Sequence, residues 1–186
     1  MDNNLVLTNY GVTLRRLTHD KIEMLRQWRN DPKIQQYMFY KEYITPQMQE
    51  QWFANLDPRC NYYFIIEYKG EEVGCVNIRD IDWETKTGEP GIFIYADDCL
   101  NSDVGARANL CLKDFIWNEL KLETITTEVV RTNKRALQMS RAMGYREMPL
   151  QPGDSEDKVR MIMTREDALK PNKLFDRLRK IFNKSE

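Results

Sequence analysis

The sequence predicts one domain of the α/β (α+β) class, and three observations support this prediction. Segments with strand and helix patterns follow one another in the order β-α-α-β-β-β-α-β-α-β-β. The chain has no internal repeat and no low-complexity region. Its 186 residues, of which 41% are apolar, are enough for a single sizeable core.

A strand and two helices are predicted first. Residues 12–17 alternate along the chain in a way that is typical of a strand. A helix follows Thr18, which we predict as its cap, and it ends at Asp31 because the next residue is a proline. A second helix is predicted after Thr45, with Pro46 at its first position.

The rest of the chain mixes β-rich runs with two further helices. Runs rich in β-branched and aromatic residues predict the strands, and Gly144 predicts a left-handed helix end. The predicted elements are a hairpin of residues 62–68 and 73–81, a buried strand at 90–95, a helix at 106–120, a strand at 123–130, a helix ended by Gly144, and two last strands at 148–150 and 157–166 around a turn at 151–156.

Composition excludes several classes of protein. A net charge of −1 gives no electrostatic case for nucleic-acid binding, and no apolar run reaches the roughly 20 residues of a transmembrane helix. The N-terminus lacks the pattern of a signal peptide. Four cysteines without a C-x-x-C pair, and the single His19, argue against a metal site. We therefore expect a reduced, cytoplasmic protein in which His19 is a surface or capping residue.

The C-terminal segment, residues 170–186, is locally basic and carries an apolar stripe of Leu174, Leu178 and Ile181. Two interpretations remain open. The segment is either a helix packed on the domain, or it docks on a partner or an anionic membrane surface. The predicted organisation is a domain of residues 1–169 followed by a basic amphipathic helix or tail.

Three stretches carry a resemblance to a known family. They are LRRLTHDKIEMLRQWRNDPKIQQYMF, then EPGIFIY followed by a helix, then RTNKRALQMSRAMGYRE. Their order and spacing resemble the GNAT acyl-CoA-dependent N-acetyltransferases over residues 12–165. The closest branch contains ribosomal-protein N-terminal and amino-sugar-nucleotide acetyltransferases. The resemblance implies the GNAT fold, a mixed twisted sheet of about six to seven strands with helices on both faces. It also implies acetyl-CoA as cosubstrate, and a homodimer as one option.

The resemblance places the coenzyme at the start of the helix after strand 90–95. Helix N-termini bind anions such as a pyrophosphate through free amides and the helix dipole. The family loop has the form Gln/Arg-x-x-Gly-x-Gly/Ala, and here only Gly105 matches it, while Leu100 and Asp103 depart from it. In one interpretation the amides still bind the diphosphate, and the positive charge of Arg107 offsets the negative charge of Asp103. In the other, the Asp103 carboxylate caps the helix and repels the diphosphate. The implied coenzyme residues are Phe93, Ile94, Tyr95, Leu100, Asn101, Ser102, Asp103, Val104, Gly105, Ala106, Arg107 and Asn133.

The implied reaction is direct attack of a neutral primary amine on the acetyl thioester. Glu89 matches the position of the base, and backbone N–H groups of residues 93–95 are candidate donors to the oxyanion. Ser140 occupies the position where the family often has a tyrosine as the acid. Asn133 matches a coenzyme-contacting asparagine and equally suits a helix N-cap.

The acceptor is expected over the first two helices, as a small molecule or a peptide amine. An amino sugar, a sugar nucleotide and a protein N-terminus fit the resemblance, whereas Glu42, Glu84 and Glu89 would suit a polyamine or aminoglycoside. The departures at the coenzyme loop and at Ser140 leave a rival from another class, a catalytically silent GNAT-fold binding module. The candidate acceptor lining is Trp28, Arg29, Tyr37, Met38 and Phe39.

Overall fold

A computed structural model describes residues 4–151, 153 and 155–182 of the chain. Its strands form one sheet in the order β1-β2-β3-β4-β5-β6-β8-β7. This confirms the predicted mixed α/β fold, although the sheet has eight strands where about six to seven were expected. The strands are β1 Val6–Asn9, β2 Val12–Arg16, β3 Tyr62–Tyr68, β4 Glu71–Asp82, β5 Thr87–Ile94, β6 Thr124–Val130, β7 Arg146–Glu147 and β8 Lys158–Thr164.

Helices cover both faces of this sheet. The larger core lies under α4, α5 and α7, and a second cluster of buried residues lies under α1 and α3. None of the helices in the described ranges is both long enough and apolar enough to cross a bilayer. The helices are α1 Ile22–Asn30, α2 Pro32–Gln35, α3 Pro46–Ala54, α4 Val104–Asn118, α5 Lys134–Ala142, α6 Arg165–Leu169 and α7 Lys173–Phe182.

The additional strand is β1, which pairs with β2 in a tight hairpin. Tyr10 and Gly11 form the two-residue turn, with φ values of 54° and 68°. Two successive positive φ values are typical of the turn whose twist matches the strands of a hairpin. Tyr10 is a non-glycine residue in this conformation, and its hydroxyl donates to the Asp114 carboxylate at 2.5 Å. That contact on α4 shows how tertiary packing supports the turn.

The sheet is only weakly joined between β5 and β6. The two strands are parallel, and they pair only at Thr87 with Thr124 and at Gly88 with Ile125. On its other edge β5 pairs with β4 along its length, as far as Ile94. A gap therefore opens between β5 and β6 beyond Gly88, on the side of the sheet where α4 begins.

The C-terminal helix α7 packs against the domain. Phe175 and Leu178 are buried in the larger core, and Arg179 lies 3.3 Å from the Asp114 carboxylate. Ile181, the third residue of the predicted apolar stripe, is 49% exposed. The last four residues of the predicted tail, the first three of the chain, and residues 152 and 154 of the predicted turn lie outside the described residues.

Candidate active site

The floor of the site is the face of β4 and β5 that α1 and α3 cover. Successive side chains of a strand point to opposite faces of the sheet. Cys75 and Phe93 pack with Trp28 of α1, so both side chains point to the face that α1 covers. Alternate residues of the two strands share it, namely Cys75, Asn77 and Arg79 on β4 and Glu89, Gly91 and Phe93 on β5.

Glu89, the predicted base, lies on this face at the start of the gap. Its carboxylate accepts a hydrogen bond from Arg79, and its side chain is 29% exposed. Burial raises the pKa of Glu89 above its ordinary value, although the guanidinium of Arg79 acts in the opposite direction. A carboxylate whose pKa is raised toward neutrality is suited to proton transfer.

The end of β5 contains a bulge that directs its amides. The N–H groups of Tyr95 and Ala96 both donate to the carbonyl of Val73, at 2.7 and 3.2 Å. Two residues opposite one is the pattern of a β-bulge. Because hydrogen-bonding groups alternate between the edges of a strand, Phe93 and Tyr95 face β4 and Ile94 faces the gap. Of the three predicted oxyanion donors, the register leaves the Ile94 N–H directed into the gap.

The predicted coenzyme loop leads into α4 with free amides. The Ser102 hydroxyl donates to the Cys99 carbonyl at 2.7 Å and accepts from the Val104 N–H at 3.2 Å. The N–H groups of Gly105 and Ala106 have no acceptor within the described part of the chain. These two amides belong to the first turn of the helix, where anions bind.

Asp103 occupies the N-cap position without capping the helix through its side chain. Its carboxylate instead accepts a hydrogen bond from Arg107 Nη2 at 2.9 Å. The Arg107 guanidinium also lies 4.6 Å from the ring centre of Phe182 and 5.6 Å from that of Tyr68. The acidic side chain is therefore neutralised by its neighbour and does not compete for the helix amides.

Asn133 is the N-cap residue of α5 and Ser140 lies on this helix, which follows β6 on the other side of the gap. The Asn133 side chain caps the helix by accepting from the Ala136 N–H at 3.0 Å. The Ser140 side chain is half-buried, and within the described residues its hydroxyl has no hydrogen-bond partner. Asn133 thus has the structural role that the sequence allowed, and the Ser140 hydroxyl remains available for a proton relay.

The predicted acceptor lining divides into packing and exposed residues. Trp28 is buried and stacks on Tyr95, with ring centres 5.0 Å apart. Tyr37 and Phe39 are exposed, and Met38 is half-buried. Phe39 extends toward β8, where Lys158 Nζ lies 5.7 Å from its ring centre. The loop after α2 therefore spans the face of the sheet from α1 to the far side of the gap.

The loop after α2 is held in place by residues that the sequence did not predict for the site. Asn30 exchanges two hydrogen bonds with the backbone of Ile44, at 2.8 and 2.9 Å. Arg26 Nη1 donates to the same Ile44 carbonyl at 2.8 Å. The only signal in the sequence was the polar Arg26 and Asn30 at i and i+4 on an otherwise amphipathic helix.

Replacement of Asp103 by asparagine tests the altered loop. Removing the carboxylate frees Arg107 and lowers the repulsion of a diphosphate, worth about 1 kcal/mol near the helix end. We expect the affinity for coenzyme A to rise by about fivefold, measured by calorimetry. Asp98→Asn, in the same loop and exposed, is the control. Unchanged affinity in both variants would show that the Asp103–Arg107 pair does not lie at the coenzyme.

Comparison with known proteins identifies the class to which this fold and site belong. Residues 12–146 match the family model of the acetyltransferase (GNAT) domain. The chain therefore belongs to the GNAT family, which confirms the predicted class of acetyl-CoA-dependent N-acetyltransferase. No curated protein sequence matches the chain.

Several solved structures share the fold at low sequence identity. Spermidine N-acetyltransferase from Vibrio cholerae, in complex with CoA and spermine, is 20% identical with a TM-score of 0.77, covering 87% of this chain and 100% of that chain. A domain from Methanocaldococcus jannaschii DSM 2661 is 18% identical with a TM-score of 0.71, covering 82% and 97%. A dodecameric structure of the Vibrio cholerae enzyme in an intermediate state is 17% identical with a TM-score of 0.69, covering 96% and 100%. The matches do not single out the predicted branch of the family.

Proposed function

We propose that this protein transfers an acetyl group from acetyl-CoA to a primary amine of a small molecule. One observation carries the proposal. Strands β5 and β6 pair at only two positions, and the gap beyond them adjoins the start of α4. There the Gly105 and Ala106 amides have no acceptor within the described residues, and Arg107 neutralises the adjacent Asp103. A thioester arm fits along the open edge of β5, and a diphosphate fits the amides of α4.

The residues around the gap supply the parts that acyl transfer requires. The amine nitrogen bonds to the thioester carbon, and the carbon–sulfur bond then breaks. The Ile94 N–H donates to the oxygen that gains negative charge. Glu89 accepts the amine proton, directly or through water, and the departing thiolate receives a proton through the Ser140 hydroxyl and water.

The acceptor in this proposal binds between the loop after α2 and the face of β4 and β5. The spermine complex of the Vibrio cholerae relative supports a small amine. The resemblance to the amino-sugar-nucleotide branch supports an amino sugar or sugar nucleotide, with a protein N-terminus as the alternative in that branch. The dodecameric relative supports self-association of this chain.

Thermal unfolding with and without acetyl-CoA tests the first half of the proposal. At a hundredfold excess over the dissociation constant, binding adds about 2.7 kcal/mol to the free energy of unfolding. Release of thiol on addition of small amines tests the second half. Stabilisation without turnover on any amine would show a silent binding module, and no stabilisation at millimolar coenzyme would refute the proposal.

Replacement of Gly105 by alanine separates coenzyme binding from stability. A methyl group at this position would lie 3.6 Å from Ile94, an ordinary contact, so the fold is expected to be unaffected. It would stand over the amide that the diphosphate approaches, so we expect the affinity for coenzyme A to fall by about tenfold or more. Gln47→Ala, at the same position in the first turn of α3, is the matched control. Equal affinity in the two variants would place the diphosphate elsewhere.

A further inference from the structure

Arg29, at the edge of the candidate site, is half-buried and has no partner for its charge within the described residues. It is the second-last residue of α1, and its side chain lies near Tyr63, Cys75 and Arg79 on the floor and near Tyr40 of the loop. No carboxylate, carbonyl or aromatic ring in the described part of the chain pairs with its guanidinium. Charged groups removed from water are normally paired, because desolvation of an unpaired charge is unfavourable.

The neighbouring arginines, in contrast, have ionic and hydrogen-bond partners within the protein. Arg26, one turn earlier on the same helix, pairs with Glu23 and donates to the Ile44 carbonyl. Arg79 pairs with Asp80 and with Glu89. The Asp80 and Glu89 carboxylates are therefore paired with Arg79. Arg29 differs from Arg26 and Arg79 because its guanidinium has no internal hydrogen-bond or ionic partner within the described residues.

Two further polar groups on the same face lack partners. The Tyr63 hydroxyl makes no hydrogen bond within the described residues, and burial raises the pKa of this phenol to about 12, so it is a neutral donor. The Asn77 Oδ1 atom is buried beside Gly91, and the described part of the chain offers it no hydrogen-bond partner. Arg29 and Tyr63 thus offer donors to a ligand on this face.

The charge of the surrounding groups favours an anion over a polycation. On β6, the Glu128 carboxylate is shared by Lys158 at 2.9 Å and Arg160 at 3.5 Å. Glu89 is likewise paired with Arg79, so both carboxylates that β5 and β6 place on this face have basic partners, whereas Arg29 has no acidic partner within the described residues. A second ammonium group of a polyamine would be repelled here, whereas a planar guanidinium matches a carboxylate or phosphate.

We propose that the acceptor carries an anionic group, a carboxylate or a phosphate, which Arg29 binds with the help of the Tyr63 hydroxyl while the amine is held near Glu89. The proposal rests on the proposed acetyl transfer and specifies its substrate class. It makes Arg29 the residue that selects the acceptor, and it distinguishes this chain from the relative whose structure contains spermine.

The test compares each anionic amine with a neutral analogue in the full chain. Glucosamine 6-phosphate is paired with glucosamine, and an amino acid is paired with its amide; spermidine is the cationic arm. In one of the two pairs, we expect kcat/KM for the anionic amine to exceed that for its neutral analogue by about tenfold or more. The pair that shows this preference identifies the recognised group as a phosphate or a carboxylate. In Arg29→Gln we expect this ratio to fall to about one through KM, because a charge-assisted bond is lost.

Two further variants control for structure. Arg59→Gln removes an exposed arginine away from the site and is expected to leave the ratio unchanged. Tyr63→Phe is expected to lower the ratio less than Arg29→Gln does. The melting temperature of Arg29→Gln should not fall, since no internal partner is lost. A ratio unchanged by Arg29→Gln, or preference of the unaltered protein for spermidine, would overturn the inference.

Binding without turnover separates this inference from the proposed function. Calorimetry with glucosamine 6-phosphate and with the amino acid, with and without coenzyme A, measures the Arg29 contact directly. Equal affinity of the original chain and Arg29→Gln would refute the inference even if acetyl transfer occurs. Absence of thiol release with all amines would refute the proposed function, while weaker anion binding by Arg29→Gln would still support the anion site.

Discussion

Replacement of Glu89 by glutamine is expected to lower kcat by about 10²–10⁴-fold, the usual contribution of a positioned general base. The amide keeps the shape of the side chain but cannot accept the proton of the attacking amine. It can still meet Arg79, which retains Asp80 as an ionic partner, so the fold should be preserved. Steady-state kinetics with saturating acetyl-CoA and the best amine measures the effect.

The pH dependence identifies the chemical origin of this loss. Because burial raises the pKa of Glu89, activity should fall as pH decreases through a value above the ordinary range of a carboxyl group. The glutamine variant should lack this acidic limb. Glu71→Gln, on an exposed residue at the other end of the β4–β5 hairpin, is the control and should retain kcat and the limb. A normal kcat in Glu89→Gln would remove Glu89 from the mechanism.

Replacement of Lys113 by methionine is expected to increase the free energy of unfolding by about 2–4 kcal/mol at pH 6. Lys113 lies on α4 and is 3% exposed, and its Nζ atom has no hydrogen-bond partner among residues 4–151, 153 and 155–182. The Nζ atom lies 4.3 Å from the ring centre of Tyr145 and 5.0 Å from that of Phe175. Methionine fills a similar volume without a charge that must be desolvated.

The gain in stability should depend on pH with a defined sign. Burial lowers the pKa of Lys113 from 10.5 to about 7. Below pH 7 both the folded and the unfolded chain carry the proton, and the penalty is complete. Between about pH 7 and 10.5 only the unfolded chain binds the proton, so the stability of the original chain rises with pH and the advantage of methionine shrinks.

Urea unfolding at pH 6, 8 and 9.5 of the original chain and the variant measures this trend. The range ends below the titration of Tyr10, whose pKa burial raises to about 12. Lys134→Met, on an exposed residue of α5, is the control and should have a small effect at every pH. A stability difference that is constant from pH 6 to 9.5 would show that Lys113 is charged throughout or lies in contact with water.

Much of the fold follows from local pattern, and the missed parts depend on contacts distant in sequence. The helix ended by Gly144 and the hairpin turn at Lys69 and Gly70 occur as predicted, because glycine adopts positive φ at little cost and both glycines do so here. Strand β1 was missed because its hairpin turns at Tyr10, a residue that rarely adopts positive φ, and a contact with Asp114 supports it. The strand predicted at residues 148–150 lies instead at Arg146–Glu147, as β7. This strand has only two residues and is defined by its pairing with β8, a contact distant in sequence.

The candidate site was predictable in position but incompletely in chemistry. The sequence predicted Glu89 on a strand and Gly105 at the start of the helix that follows. The strand–loop–helix order was enough to predict that the two lie near the same part of the sheet. It left open whether Asp103 would cap α4, and the pairing of Asp103 with Arg107 depends on the rotamers of both. It did not indicate Tyr63 or Asn77, because a polar residue inside a β-rich run has no signature until the opposite strand is known.

The narrow contact between β5 and β6 has a consequence for how the protein responds to a ligand. Strands β1 to β5 form one half-sheet and β6 to β8 another, and only Thr87 and Gly88 of β5 bridge them by strand pairing. In the proposed function, an amide-bearing arm bonded to the open edge of β5 would take the place of a missing strand at this seam. We therefore expect coenzyme binding at this edge to join the two halves of the sheet into one cooperative unit.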